Sequence, residues 1–285
     1  MGKLPKDFLD QYFFGSYWAF RHYDKIIRRA FHHLPQKPKV AVEVGCGIGM
    51  ATYFLSKQVD RLICIDTDEE CIQRTKRMIK ATGIQNVILV KTDLDRVPLN
   101  KEVDLIFFKD VLHHMNSPVE YLRSCLPFSN HLLLIEANRY NSLLYWICKH
   151  LEAEEQFFKM NSMGNILRIV KNAGWHCEKS FYIESAAYPL GPCIYSTVFH
   201  EKKLIETIIK YLEKLYDFRI VSSSIDHIEN LAEKMFKPFC SEFIIIAKRQ
   251  RPLTLPLSPC LPAPVPTEGG AGRRRGEGRG EGVRK

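Results

Sequence analysis

Val40-Ala41-Val42-Glu43-Val44-Gly45-Cys46-Gly47-Ile48-Gly49 runs an apolar strand directly into a glycine loop, with an acid two places before the first glycine. Met50 to Lys57 then reads as a helix. A helix start offers backbone N–H groups without intrahelical partners and the positive end of a dipole. Glycines remove side chains, so the backbone can approach a ligand and turn sharply. About twenty residues on, Arg61-Leu62-Ile63-Cys64-Ile65-Asp66 reads as a second strand ending in a carboxylate. A βαβ nucleotide site places an acid there for ribose hydroxyls.

The same alternation continues outward. Strands are expected near 39–44, 61–66, 87–91, 103–109 and 131–137, and helices near 49–58, 68–81 and 117–126. This is the pattern of a parallel sheet covered by helices, an α/β fold. Thr67 or Asp68 suits the cap of the second helix, with Glu69 and Glu70 in its first turn. Asn116 or Ser117 starts the third, with Pro118 in its first turn. A further helix is expected over Met163–Asn172, ended by Ala173-Gly174-Trp175, then a strand near 176–183. A final strand is expected over Ser241–Lys248.

The glycine spacing separates two cofactor classes. A dinucleotide fingerprint wants Gly or Ala at its sixth position, and Met50 stands there. The pattern present is Glu-x-Gly-x-Gly-x-Gly. With Asp66, with Thr92-Asp93-Leu94-Asp95-Arg96-Val97-Pro98-Leu99 and with Val103 to His114, the chain resembles the class I S-adenosylmethionine-dependent methyltransferases, in particular the broad group called type 11. The resemblance covers about residues 38–182 well and the C-terminal part weakly. It implies a Rossmann-like, doubly wound seven-strand sheet of order 3-2-1-4-5-7-6, the last strand antiparallel between the fifth and sixth.

The resemblance also implies a cofactor site for S-adenosyl-L-methionine. Gly45, Cys46, Gly47 and Gly49 pass beneath its amino-acid part. Glu43 orients that loop and helps bind the cofactor's amino group, directly or through water. Asp66, with Thr67 beside it, takes the ribose hydroxyls. Asp93 meets the adenine amino group, with the Leu94 backbone alongside, and Lys109 ends the fourth strand near the cofactor. Two rivals stand beside this reading: a catalytically inactive module that binds the same cofactor, and an NAD-dependent dehydrogenase, which Met50 counts against.

Methyl transfer from a sulfonium is an in-line displacement, so the enzyme chiefly aligns the acceptor and excludes water. A base is needed only where the acceptor must lose a proton. His113 and His114 follow the fourth strand, where the acceptor is expected to enter, and an imidazole suits removal of a hydroxyl proton. His114 is preferred, since one of two adjacent histidines must turn away from the pocket. Asp110 is a weaker candidate.

Absences narrow the acceptor. No D/N-P-P-Y/F motif follows the fourth strand, and Pro192-Cys193 and Pro259-Cys260 lie in the wrong places for cytosine chemistry. Nucleic acid is therefore disfavoured, and no metal site is expected. A small molecule, lipid or sugar acceptor remains, with O-methylation the expected reaction. Aromatic and aliphatic insertions suit a partly apolar acceptor.

Composition agrees. Hydrophobic residues make up 46% and charged residues 26% of the 285, ordinary for a globular protein. Nine cysteines without a C-x-x-C pair read as reduced thiols in a cytoplasmic protein. No signal peptide or transmembrane run is expected. Net charge is +9, but eight basic and three acidic residues from Arg249 onward carry more than half of it, so the body is only mildly basic.

The expected organisation is an N-terminal helical cap over 1–37, a methyltransferase domain over 38–248, and a disordered Pro/Gly/Arg-rich tail over 249–285. The aromatic segment Tyr12 to Tyr23 either packs on the sheet or closes over the cofactor cleft. Helical insertions are expected near 138–161 and 184–240. The first follows the fifth strand and so is placed to shape a substrate pocket. The second carries Leu204, Ile205, Ile208, Ile209 and Leu212 at helical spacing among lysines, which suits a docked helix or peripheral contact with an anionic membrane. Oligomeric state is left open.

Overall fold

The computed structural model describes residues 8, 12, 17–93, 103–140, 162–183, 240 and 242–250. The expected insertions, apart from 138–140, and the tail beyond Gln250 lie outside the described residues, as does Leu94. The elements run α1 (Tyr17–His32), β1 (Val40–Val44), α2 (Met50–Leu55), β2 (Arg61–Asp66), α3 (Glu69–Thr82), β3 (Val87–Lys91) and β4 (Leu105–Lys109). A short 3₁₀ turn (Leu112–His114) leads to α4 (Pro118–Ser124), β5 (His131–Ala137), α5 (Met163–Asn172), β6 (Trp175–Ile183) and β7 (Glu242–Arg249).

The seven strands form one sheet of order β3-β2-β1-β4-β5-β7-β6. The first five are parallel, and β7 pairs antiparallel with both β5 and β6. Order and direction are those expected. The order reverses between β1 and β4, where Val44 lies opposite both Ile65 and Phe108. A crevice opens outside the strand ends at such a reversal.

Strict alternation along the central strands divides the core into two layers. Leu105 and Phe107 of β4 face one side with Leu133, Ile135, Ile244 and Ile246. Ile106 and Phe108 face the other with Leu132, Leu134, Phe243 and Ile245. The first layer is closed by α1, α2 and α3; the second by α4 and α5. The helix α1 commits Ala19, Phe20, Tyr23, Ile26, Ile27 and Ala30 to the first layer, the three-four spacing of one helical face. Phe20 meets Phe54 of α2 with ring centroids 4.9 Å apart. In the second layer Trp175 is fully buried and satisfies its indole N–H on the Leu122 carbonyl at 2.8 Å.

Local chemistry sets the helix ends. Asp68 Oδ1 accepts from Glu70 N at 2.6 Å and Cys71 N at 3.3 Å, capping α3. Pro118 occupies the first turn of α4, and Ser162 caps α5 by accepting from Asn165 N at 3.3 Å. The helix after the glycine loop is shorter than expected, ending at Leu55.

Candidate functional site

The cleft at the sheet's reversal is lined by residues at or beyond the ends of four strands. Gly45 follows β1, Asp66 ends β2 with Thr67 beyond it, and Thr92 and Asp93 follow β3. Val111, His114, Met115 and Tyr121 form the wall after β4. The cleft thus has two carboxylates at one end and apolar or aromatic walls at the other.

The glycine loop is built to close tolerances. Gly45 has φ +68°, and a Cβ on it would lie 2.6 Å from Val111 Cγ2. Gly47 also has positive φ, at +53°, yet a Cβ there would meet nothing within 4 Å. The first glycine is demanded by the protein's own packing. The second faces open space. Asp66 holds the loop in place: its Oδ2 accepts from Gly47 N at 2.8 Å and its Oδ1 from Asp68 N at 3.0 Å. Each carboxylate oxygen has further lone-pair capacity for a ligand hydroxyl.

Glu43 lies beneath the loop. It is buried, and its Oε2 accepts from Thr52 Oγ1 at 2.6 Å and Cys64 Sγ at 3.1 Å. It is not among the described lining residues of the cleft, and its carboxylate instead ties β1 to α2 and β2. Burial raises its pKa to about 7, against the opposing pull of the Thr52 and Cys64 hydrogen bonds. Between the usual carboxyl range and pH 7 the folded protein therefore holds a proton that the unfolded chain has released, and stability falls as pH rises through that window. The expected loss from this group is roughly 3 kcal/mol between pH 5 and pH 8. Glu43→Gln, neutral throughout, is expected to remove that slope, as urea midpoints at the two pH values would read.

Like Glu43, Cys46 and Lys109 are expected site residues that the structure places away from the cleft. Cys46 is buried at 5% exposure in the first core layer. The ammonium of Lys109 does not line the cleft; strand alternation turns it to the α1 face, where it donates to Asp110 Oδ2 and Glu242 Oε1, each at 2.6 Å. Burial opposes the charge on Glu242, but the adjacent Lys109 ammonium and His22 outweigh it and hold that carboxyl below the usual range.

The two histidines divide as expected. His114 is exposed and lines the cleft, while His113 is buried with its Nδ1 3.2 Å from Glu136 Oε2. Their rings lie 4.0 Å apart. Glu136, a residue sequence reasoning passed over, is fully buried, and its Oε1 accepts from Val111 N at 3.1 Å and Leu112 N at 2.9 Å. One carboxylate thus clamps the loop that forms the cleft wall. An acid ending the otherwise apolar run Leu132-Leu133-Leu134-Ile135 was its signal. Removing it as Glu136→Ala leaves two backbone N–H groups without this acceptor, one of them in a fully buried residue, an expected loss of about 2–4 kcal/mol. A thermal melt against wild type measures it.

A family model described as a methyltransferase domain matches residues 41–127, from the first strand through α4. Over that span the chain matches a methyltransferase domain, set within a seven-strand sheet of order β3-β2-β1-β4-β5-β7-β6. Eighty residues of the chain are 30% identical to Nodulation protein S of Bradyrhizobium diazoefficiens, over 28% of this chain and 37% of that protein. The match thus spans little more than a third of the curated relative's length. The YcgJ protein of Bacillus subtilis superposes with a TM-score of 0.50 and 12% identity, over 81% of this chain and 99% of that one. A S-adenosylmethionine-dependent methyltransferase of Clostridium acetobutylicum gives 0.49 and 11%, over 81% and 92%. The likeness to YcgJ concerns the fold alone. Among the described residues of the methyltransferase domain and its surroundings, no cluster suited to a metal ion occurs and no helix is long and apolar enough to cross a membrane. The six described cysteines are free thiols.

Proposed function

We propose that the chain transfers a methyl group from S-adenosylmethionine to a hydroxyl of a small molecule, lipid or sugar. The observation that carries the cofactor part is the convergence of Asp66 and Asp93 in one cleft whose far wall is Val111, Met115 and Tyr121. A ribose diol and an adenine amine are donors that suit the two acids, and a flat base suits the apolar wall. The space above Gly47 is available to the amino-acid part. S-adenosylmethionine supplies an electrophilic methyl on a sulfonium. The protein's own contribution is to align the acceptor, exclude water and receive a proton.

For the proton we assign His114, which is exposed at the cleft. His113 supports it from beneath, its ring held by Glu136 and packed against the His114 ring. An apolar or aromatic acceptor fits the wall composition, and peripheral membrane contact by the lysine-rich segment over 202–214 would suit a lipid. We place the protein in the cytoplasm, consistent with its free thiols.

Calorimetric titration with S-adenosylmethionine and S-adenosylhomocysteine tests the cofactor reading, and absence of heat with both compounds would overturn it. Formation of S-adenosylhomocysteine with panels of phenolic, sugar and lipid hydroxyls tests the reaction. With an accepted substrate, His114→Ala is expected to lower turnover by about 10²–10⁴, a loss that falls on kcat more than on S-adenosylhomocysteine affinity. An unchanged kcat would remove His114 from the proton step.

A further inference from the structure

On the α1 face of the sheet a buried chain of charges joins parts of the molecule distant in sequence. Lys109 Nζ bridges Asp110 Oδ2 and Glu242 Oε1, both at 2.6 Å. Glu242 Oε2 lies 3.2 Å from His22 Nε2, close enough for charge attraction. The Tyr23 ring centroid sits 5.0 Å from the same ammonium. The side chains of His22, Lys109 and Glu242 are 1%, 4% and 0% exposed. Helix α1, strand β4 and strand β7 are thereby tied at one point, since Glu242 cannot leave the ammonium without stranding its charge away from water.

The chain of charges ends on an unusual backbone. Asp110 has φ +52°, the one non-glycine residue with positive φ among the described residues. A residue held there is maintained only where its surroundings over-determine it. Here Asp110 N donates to Ile135 O at 2.9 Å, and Asp110 Oδ1 accepts from Ala137 N at 3.0 Å. Lys109 fixes the other oxygen. The next residue, Val111, is the one whose methyl lies 2.6 Å from the Cβ position of Gly45, and it lines the cleft. A change in φ at Asp110 therefore swings Val111 into or away from the glycine loop.

We propose that Lys109 and Glu242 are positioning residues for the cofactor cleft: through Asp110 they fix the wall at Val111, and through His22 they make the seating of α1 and the occupation of the cleft one coupled equilibrium. This rests on reading the cleft as the S-adenosylmethionine site. Coupling of this kind is reciprocal, so ligand in the cleft stabilises α1 as much as seated α1 improves binding.

The test uses the full chain, S-adenosylhomocysteine as probe, calorimetry for affinity and hydrogen exchange for α1. In wild type, ligand is expected to slow exchange of the α1 amides, although α1 contributes no described residue to the cleft. Lys109→Met and His22→Ala are each expected to weaken binding at least tenfold and to abolish that protection, with the far-ultraviolet circular dichroism unchanged. Asp110→Val, β-branched at positive φ, is expected to cost at least tenfold more affinity than Asp110→Asn, since asparagine tolerates left-handed backbone. Wild-type affinity in both His22→Ala and Lys109→Met, or α1 exchange indifferent to ligand, overturns the proposal. Should Lys109→Met fail to fold, His22→Ala decides alone. A wild-type protein that binds no S-adenosylhomocysteine defeats the cofactor reading itself; one that binds while its variants match it defeats only the coupling.

Discussion

Asp66→Ala is expected to abolish measurable binding of S-adenosylmethionine, with a loss of about 10²–10⁴ in affinity. Two charge-assisted hydrogen bonds to a ribose diol contribute roughly 1.5–3 kcal/mol each. The same substitution also releases Gly47 N and Asp68 N, which the carboxylate holds at 2.8 and 3.0 Å. The glycine loop then loses its anchor as well as the cleft its acid. Asp66→Asn separates the contributions, because one amide oxygen can still accept from Gly47 N while the charge is gone. Calorimetry on both variants, with a thermal melt to register the loop's contribution to stability, gives the result. Retained affinity in Asp66→Ala would remove Asp66 from the site.

Gly45→Ala and Gly47→Ala are expected to fail in different ways, although both put alanine at positive φ. At Gly45 the new methyl would sit 2.6 Å from Val111 Cγ2, in a wall pinned by Glu136 and Asp110. Overpacking adds about 1–3 kcal/mol to a backbone cost of about 1–2 kcal/mol. The loss is therefore one of folding stability, visible in urea midpoints without ligand. At Gly47 nothing lies within 4 Å of the new methyl. Only the backbone cost of about 1–2 kcal/mol falls on stability, and the larger effect is on binding, because the methyl projects into the space assigned to the cofactor. A Gly47→Ala protein of near wild-type stability that binds S-adenosylhomocysteine at least tenfold more weakly is the expected outcome. Equal affinity would mean that this space belongs to no ligand.

Much of the architecture was legible because it follows from local rules. The run of apolar strand, glycine loop, helix and acid-tipped strand from Val40 to Asp66 has few alternative readings, and the final strand at 242–249 was visible as Phe243-Ile244-Ile245-Ile246-Ala247. Asp66 and Asp93 were singled out because strand ends are where a βαβ site keeps its acids, and both line the one cleft. Glu136, Glu242 and His22 were not found. Each belongs to a network whose other members lie on different elements, and a single sequence gives no register between β5 or β7 and the loop after β4. Lys109 shows the same limit from the other side. Its position at the end of β4 was right, but the partner that binds its ammonium, Glu242, lies 133 residues away. The division of labour between His113 and His114 was legible in kind, since neighbours must diverge, while the partner that decides it, Glu136, was not.

The place of β7 carries a consequence for how the protein is made. This strand is the last described element, yet it lies inside the sheet, bonded to β5 on one side and β6 on the other. Every described residue lining the cofactor cleft leaves the ribosome more than 100 residues earlier. Until Arg249 has emerged, β5 and β6 present bare edges open to pairing with other chains, and Lys109 waits for its Glu242 counterion. Nascent protein stalled before that point is expected to need a chaperone to stay monomeric.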